Sequence, residues 1–395
     1  MKRKKVLGLN CVIFFIILSS MLLLSLSYCY GMKKNVPDIV EYRRINNEGI
    51  DFKTFDKIKN QETQHLECTA YSEAKCSVKN AYGVTNDSDA KTKLVLADEN
   101  YFSLYNHNFI KGRKPDSGLM KSDVNVAVIS EKLAVDMYKT VHVIGNKIDI
   151  NGQAYTIMSV YKNDDSYIYK SSEDGYERII IPYDSYKNKD LPVLDVLSVK
   201  HDSSKNTESV YSFEKSLSSN IDMYTKTDLS LSKNINFQYL RILLFVVGCL
   251  IIVLLCRLII KVCKDLKSFI KGKLKDYYFM QLLCKEKRQL IMFLLKTGLI
   301  IALIIIIFSL AKFNIVVNDK YLPNDNIFDI SFYKKAIINN SQIINAGEGG
   351  FSTFSSRYTA NIGTRMGLNL LAQIVCLVLF MVNLKALIAE KKYDK

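Results

Sequence analysis

Apolar positions cluster in four uncharged runs, residues 6–32, 242–256, 297–311 and 366–384, with a long stretch of mixed polarity at 33–237. A bilayer core about 30 Å thick needs roughly 20 mostly apolar residues as helix. The first and last runs reach that alone. The middle two must recruit flanking residues, with Arg257 and Lys296 snorkelling to the surface. The pattern predicts four transmembrane helices at 6–32, 238–260, 289–311 and 366–384. Between them lie a cytoplasmic start (1–5), a large domain (33–237), an inner loop (261–288), an outer loop (312–365) and a tail (385–395).

Within 33–237 the periodicity changes to that of a mixed α and β domain. Lys93–Ala97, Val124–Ile129, Arg178–Pro182 and Val193–Val199 read as strands. Asp98–Tyr105 places Tyr101, Phe102 and Tyr105 at helical spacing. Ser130 is a good N-cap for a helix with Leu133, Ala134 and Met137 on one face. Lys147–Ile150 and Gln153–Tyr161 flank Asn151-Gly152, the pair that a type I′ hairpin turn needs. Val210, Phe213 and Leu217 mark a helix returning to the membrane. The predicted fold class is an α+β extracellular domain on a four-helix transmembrane domain.

Charge sets the orientation. Four cations precede the first span, and residues 257–288 hold ten Lys/Arg against Asp265, Asp276 and Glu286. Residues 33–237 hold 28 Lys/Arg and 30 Asp/Glu. Cations near span ends mark the cytoplasmic side. Both termini and the 261–288 loop are therefore expected inside, and 33–237 and 312–365 outside, in a multi-pass protein of the plasma membrane. The net charge of +15 is then a topology signal, and no nucleic-acid partner is expected. The first run is longer than a signal peptide's apolar region, so an uncleaved anchor is expected.

Of nine cysteines, Cys68 and Cys76 alone fall in the outer domain. A local disulfide and two free thiols are both open to them. No CxxC occurs and the four His are scattered, which gives a metal or haem site little support. No GxxxxGK[ST] phosphate loop and no Ser/His/Asp spacing is found, so an enzyme is not expected. In the inner loop, Leu266, Phe269, Ile270, Leu274 and Tyr277 share one helical face, while Lys264, Lys267, Lys271 and Lys275 share the other. Such a basic amphipathic helix suits an anionic lipid surface. Lys296 and the Gly347–Gly350 run are read as a snorkelling cation and a turn.

The order Tyr101-Phe102, Ile110-Lys111-Gly112-Arg113, Val126–Ser130, Leu133-Ala134, Ile144–Gly152 and Tyr155–Val160 resembles the periplasmic core domain of MacB-type ABC transporter permeases. That family has an aromatic pair, a Gly-Arg turn, a "vaviS" strand, a helix and an "iG+.i.inG" hairpin in this order. Its members also place one span before this domain and three after it. The inner segment Asp276–Gln289 is similar to the E-I-x-I-L-R-A-L-G-A-S-R-R-Q segment of MacB/FtsX-type permeases. Asp276 takes the acidic position, Gln281 the polar one, Cys284 the glycine, and Lys287-Arg288-Gln289 the basic end. The departures are Asp for Glu, Cys for Gly and Gln for Arg.

The resemblance implies a permease subunit that couples ATP hydrolysis by a separate ABC ATPase to an extracellular conformational change, or to export of a peptide, drug or lipoprotein. It implies a homodimer or heterodimer of permeases, with ATP and Mg bound in the partner ATPase and no cofactor in this chain. The coupling residues implied are Asp276, Tyr278, Gln281, Leu282, Cys284, Lys287 and Arg288. An alternative is an ATP-independent sensor or immunity protein with a ligand-binding ectodomain.

Overall fold

The computed structural model describes residues 2–46, 48–61, 67–85, 91–187, 193–201, 207–275, 278–312, 315–317 and 353–393, with short pieces between 329 and 338. Asp276, Tyr277 and the Gly347–Gly350 run lie outside the described residues. The chain divides into a sheet unit, Ser27–Asn236 with Val317–Met366, and a span unit, Met1–Leu26, Phe237–Val316 and Gly367–Lys395.

The strands of the sheet unit are β1 (Ile39–Arg44), β2 (Cys68–Lys75), β3 (Val78–Asn80), β4 (Thr92–Ala97), β5 (Asn108–Lys111), β6 (Val126–Ser130), β7 (Lys147–Ile150), β8 (Gln153–Lys162), β9 (Glu177–Pro182), β10 (Val196–Lys200) and β11 (Tyr224–Asp228). They join in the order β11-β1-β10-β2-β4-β9-β6-β8-β7-β3, with β5 added beside β8. The β4–β9 and β6–β8 pairs are parallel and the others antiparallel. The helices include α1 (Lys2–Asn35), α2 (Phe52–Gln61), α3 (Tyr101–Leu104), α4 (Ser117–Met120), α5 (Glu131–Tyr138), α6 (Tyr167–Ser172), α7 (Thr207–Leu217), α8 (Leu229–Lys273), α9 (Phe279–Lys285), α10 (Lys287–Ala311) and α11 (Phe354–Tyr393).

Side chains alternate between the two faces of a strand. One face carries Val40, Tyr42, Ala70, Leu94, Leu96, Ile179 and Ile181 into a core closed by Phe52 and Phe55 of α2, Leu133 and Ala134 of α5, and Phe213 of α7. The intervening positions, Glu41, Arg43, Tyr71, Glu73, Lys93 and Arg178, therefore fall on the opposite face. That alternation places the chemistry of the domain on one side of the sheet.

Local signals explain the joints. The Ser130 hydroxyl accepts from the Leu133 amide and starts α5. Asn151 and Gly152 have φ of 51° and 86°, as the β7–β8 hairpin requires. Gly112 has φ +77° and follows the irregular β5–β8 pairing; a Cβ there would clash with the Met158 carbonyl oxygen. Glycine is needed twice over at that point.

One open alternative closes and two expectations change. Cys68 and Cys76 are free, buried thiols. Strand β2 separates them, and an extended strand rises about 3.3 Å per residue, far beyond the span of a disulfide. Burial pushes both thiols up to about 12. The Asp98–Tyr105 helix is a single turn, α3. The segment read as an outer loop to residue 365 is helical from Phe354.

Gly112→Ala should combine left-handed strain with a backbone clash and lower stability by about 2 kcal/mol or more. Gly145→Ala, with φ +84° but open space around it, should pay the strain alone. Thermal unfolding of the two variants of the full chain checks this; equal losses would mean that the Met158 contact relaxes freely.

Candidate coupling site

The inner segment is built from the end of α8, the short α9 and the start of α10. Helix α8 has 45 residues, and at 1.5 Å per residue it is about 68 Å long, twice a bilayer core. The basic stretch read as a separate amphipathic helix is the continuation of this span. Leu266, Phe269 and Ile270 are half-buried, Lys264, Lys267 and Lys271 exposed. Phe269 meets Phe293 of α10 at 5.9 Å between ring centroids. Lys273 closes the turn with a 2.6 Å ion pair to Glu286.

The coupling residues proposed from sequence separate into two groups. Leu282 is fully buried and serves the fold of the loop. Tyr278, Gln281, Cys284, Lys287 and Arg288 are exposed. Met280 and Leu283, which the sequence frame did not single out, are exposed beside them; Tyr278 is 82% and Met280 75% accessible. These apolar side chains lie among the exposed cations Lys285, Lys287 and Arg288.

Polar side chains join the spans of the span unit. Asn369 donates to Ser25 Oγ at 2.7 Å and to the Met21 carbonyl at 3.0 Å. Gln373 donates to the same Ser25 oxygen at 3.2 Å. Gln238 and Val316 exchange two hydrogen bonds, of 2.6 and 3.0 Å. Gly248 lets α8 approach Ala311, which a Cβ would meet at 2.8 Å. Small residues and interhelical amide bonds are what hold helices together in lipid. Lys296 is exposed on α10.

The sheet unit includes the ends of three of these helices: residues 27–35 of α1, 229–236 of α8 and 354–366 of α11. Each is tied down there. Lys233 pairs with Asp38 at 2.5 Å and donates to the Val36 carbonyl. Asn236 donates to the Thr359 carbonyl at 3.0 Å. Arg357 and Asn361 of α11 donate to the carbonyl and hydroxyl oxygens of Ser172 at 2.9 and 2.8 Å. Tyr169 of α6 packs on Phe354, ring centroids 4.5 Å apart. Thr353 donates to the buried Glu41 carboxylate, as does Tyr105 at 2.9 Å. Burial raises the Glu41 carboxyl, and these hydrogen bonds offset it only in part.

Next to Glu41 the polar face of the sheet opens into a cleft of about 830 Å³. Its floor is an ion cluster. Arg178 reaches Glu73 at 3.0 Å and Asp174 at 2.9 Å; Lys93 reaches Asp174 at 2.6 Å and Glu73 at 3.4 Å. Burial opposes ionisation of both acids, but Arg178 and Lys93 overcome it: Glu73 lies below the usual range and Asp174 at about 2. His107 stacks among Tyr101, Phe102 and Tyr161. Burial, then the charges of Arg178 and Lys114, pull its imidazole down to about 4, so it is neutral at pH 7. Among the described residues no cluster of three His, Cys, Asp or Glu could hold a metal ion.

A family model described as the MacB-like periplasmic core domain matches residues 13–212. The chain belongs to the MacB-like family of ABC transporter permeases. Among solved structures it is similar to the periplasmic region of MacB from Actinobacillus actinomycetemcomitans, at 12% identity and TM-score 0.40, over 50% of this chain and 91% of that one. It is also similar to the extracellular domain of the noncanonic ABC-type transporter YknZ from Gram-positive bacteria, at 13% identity and TM-score 0.34, over 44% and 88%. No curated protein matches it. Four helices of the permease, among the described residues, are long and apolar enough to cross a membrane. It is a membrane protein with an extracellular domain.

Two outcomes follow from these contacts. Asn369→Leu in the permease should weaken the α1–α11 contact by about 1 kcal/mol. Thermal unfolding in detergent should show a lower midpoint, and an unchanged one would mean that Ser25 finds another donor. The second concerns pH. A base whose folded pKa is about 4 against 6.5 unfolded leaves the folded state with fewer protons between those values. The His107 contribution is complete above pH 6.5 and is lost as pH falls toward 4, by roughly 3 kcal/mol. His107→Gln should flatten the stability profile of the permease between pH 6.5 and 4 relative to the unaltered protein, and parallel profiles would show that His107 does not titrate in that window.

Proposed function

We propose that this permease is the membrane subunit of an ABC system in which a separate ATPase hydrolyses ATP. The hydrolysis drives conformational change outside the cell or export of a peptide, drug or lipoprotein. The carrying observation is the exposed apolar patch Tyr278, Met280 and Leu283 on α9, between two spans and among exposed cations. Docking of an ATPase there would cover it. The cation-rich 257–288 segment and both termini would then face the cytoplasm, as the positive-inside rule requires. Lys264, Lys267 and Lys271 would face anionic lipid. ATP and Mg would be bound by the ATPase, and a second permease, identical or not, would complete the assembly.

The reading is tested by affinity purification in mild detergent and identification of a co-purifying ATPase. A charge set into an apolar contact costs several kcal/mol. Tyr278→Asp and Met280→Asp should therefore lose the ATPase, whereas Lys271→Ala should retain it. Leu282→Asp would report only on folding of the loop, since Leu282 points inward. Equal recovery with all variants would remove α9 as the docking element. The second reading, an ATP-independent sensor with a ligand-binding ectodomain, has the cleft in its favour. Absence of any co-purifying ATPase would support it.

A further inference from the structure

The cleft on the polar face of the sheet has an uneven charge. Arg178 and Lys93 on its floor balance Glu73 and Asp174 in the four-membered cluster described above. The rest of its charged lining is Arg43, Lys75 and Arg357 against Glu173. Glu173 accepts a hydrogen bond from Asn163 at 2.9 Å. The lining therefore holds five cations and three carboxylates among the described residues. With five cations and three carboxylates facing it among the described residues, the cleft carries a positive excess that an anion would offset.

The walls supply a different chemistry. Tyr71, Tyr101, Tyr105, Tyr161 and Phe354 border the cleft. Tyr71 meets Tyr101 and Tyr105 edge-on at 5.4 and 5.6 Å, so the rings form one packed surface with no cost of ordering on contact. Lys93 lies 4.7 Å over the Tyr176 ring and Lys75 5.5 Å from it, which keeps cations and ring faces side by side. A volume near 830 Å³ falls within the range of about 300–1,000 Å³ that encloses drug-sized ligands.

We propose that this cleft binds a small amphipathic anion, its carboxylate or phosphate set against Arg357 and the lysines and its apolar or aromatic body laid on the tyrosines. Arg357 and Phe354 lie in the first turn of α11. The proposal does not depend on the ATPase, and binding is measured without one.

The test uses the full-length chain in detergent and calorimetric titration with three probes: N-acetyl-phenylalanyl-phenylalanine, its C-terminal amide, and phenyl phosphate. The dipeptide acid should bind saturably, and the amide at least tenfold more weakly. Arg357→Gln and Lys75→Gln should each weaken the acid at least fivefold and leave the amide unchanged. Lys75 is exposed at the rim, so its variant should keep the unaltered thermal midpoint even where Arg357→Gln does not. Tighter binding of phenyl phosphate than of the acid would assign phosphate as the anion; the reverse would assign carboxylate, and both support the site. No saturable binding of any probe would overturn the proposal. So would equal binding of acid and amide, or unchanged binding of the acid by Lys75→Gln in a folded protein.

Discussion

The ion cluster around Arg178 is the interaction on which the extracellular domain is organised. A guanidinium withdrawn from water needs carboxylates on more than one side. Here they come from β2 (Glu73) and from the turn before β9 (Asp174), with Lys93 of β4 closing the square. The β2–β4–β9 order of the sheet brings these three strands together, and period-two alternation turns all three side chains to one face. The opposite face is thereby left to the apolar core. Removing one member would strand buried charge on the others, which is why the cluster fixes register as well as charge.

The same face receives the helix ends. Glu41 lies on β1, two strands further out beyond β10, and its carboxylate takes hydrogen bonds from Tyr105 of the α3 corner and from Thr353 just before α11. Arg357 and Asn361 then fasten α11 to Ser172.

Much of this was legible beforehand. The β7–β8 hairpin could be read from Asn151-Gly152, and α5 from Ser130 with Leu133, Ala134 and Met137, because local backbone chemistry dictates them. Strands β1, β2, β3, β5 and β11 are not predicted from the sequence. Cys68-Thr-Ala-Tyr-Ser looks polar and unpatterned, yet its first five residues are buried because β10 and β4 flank it and both faces are covered. The alternation Val40-Glu41-Tyr42-Arg43 was a usable signal, obscured by the charges that the cleft needs. Leu282 was placed in the coupling frame by similarity alone, and only its burial separates it from Tyr278 and Met280.

The sequence by itself determined the four apolar runs and their order around one large domain, because bilayer thickness and backbone propensity act on contiguous residues, and its motif order carried the resemblance to the family. Tertiary structure alone decided which residues meet. Glu73, Lys93, Asp174 and Arg178 are scattered over a hundred positions, and Glu41 meets Thr353 across most of the chain. It also decided that Cys68 and Cys76 stay apart. Such pairings depend on strand order and on the return of a distant helix, and no local pattern encodes either.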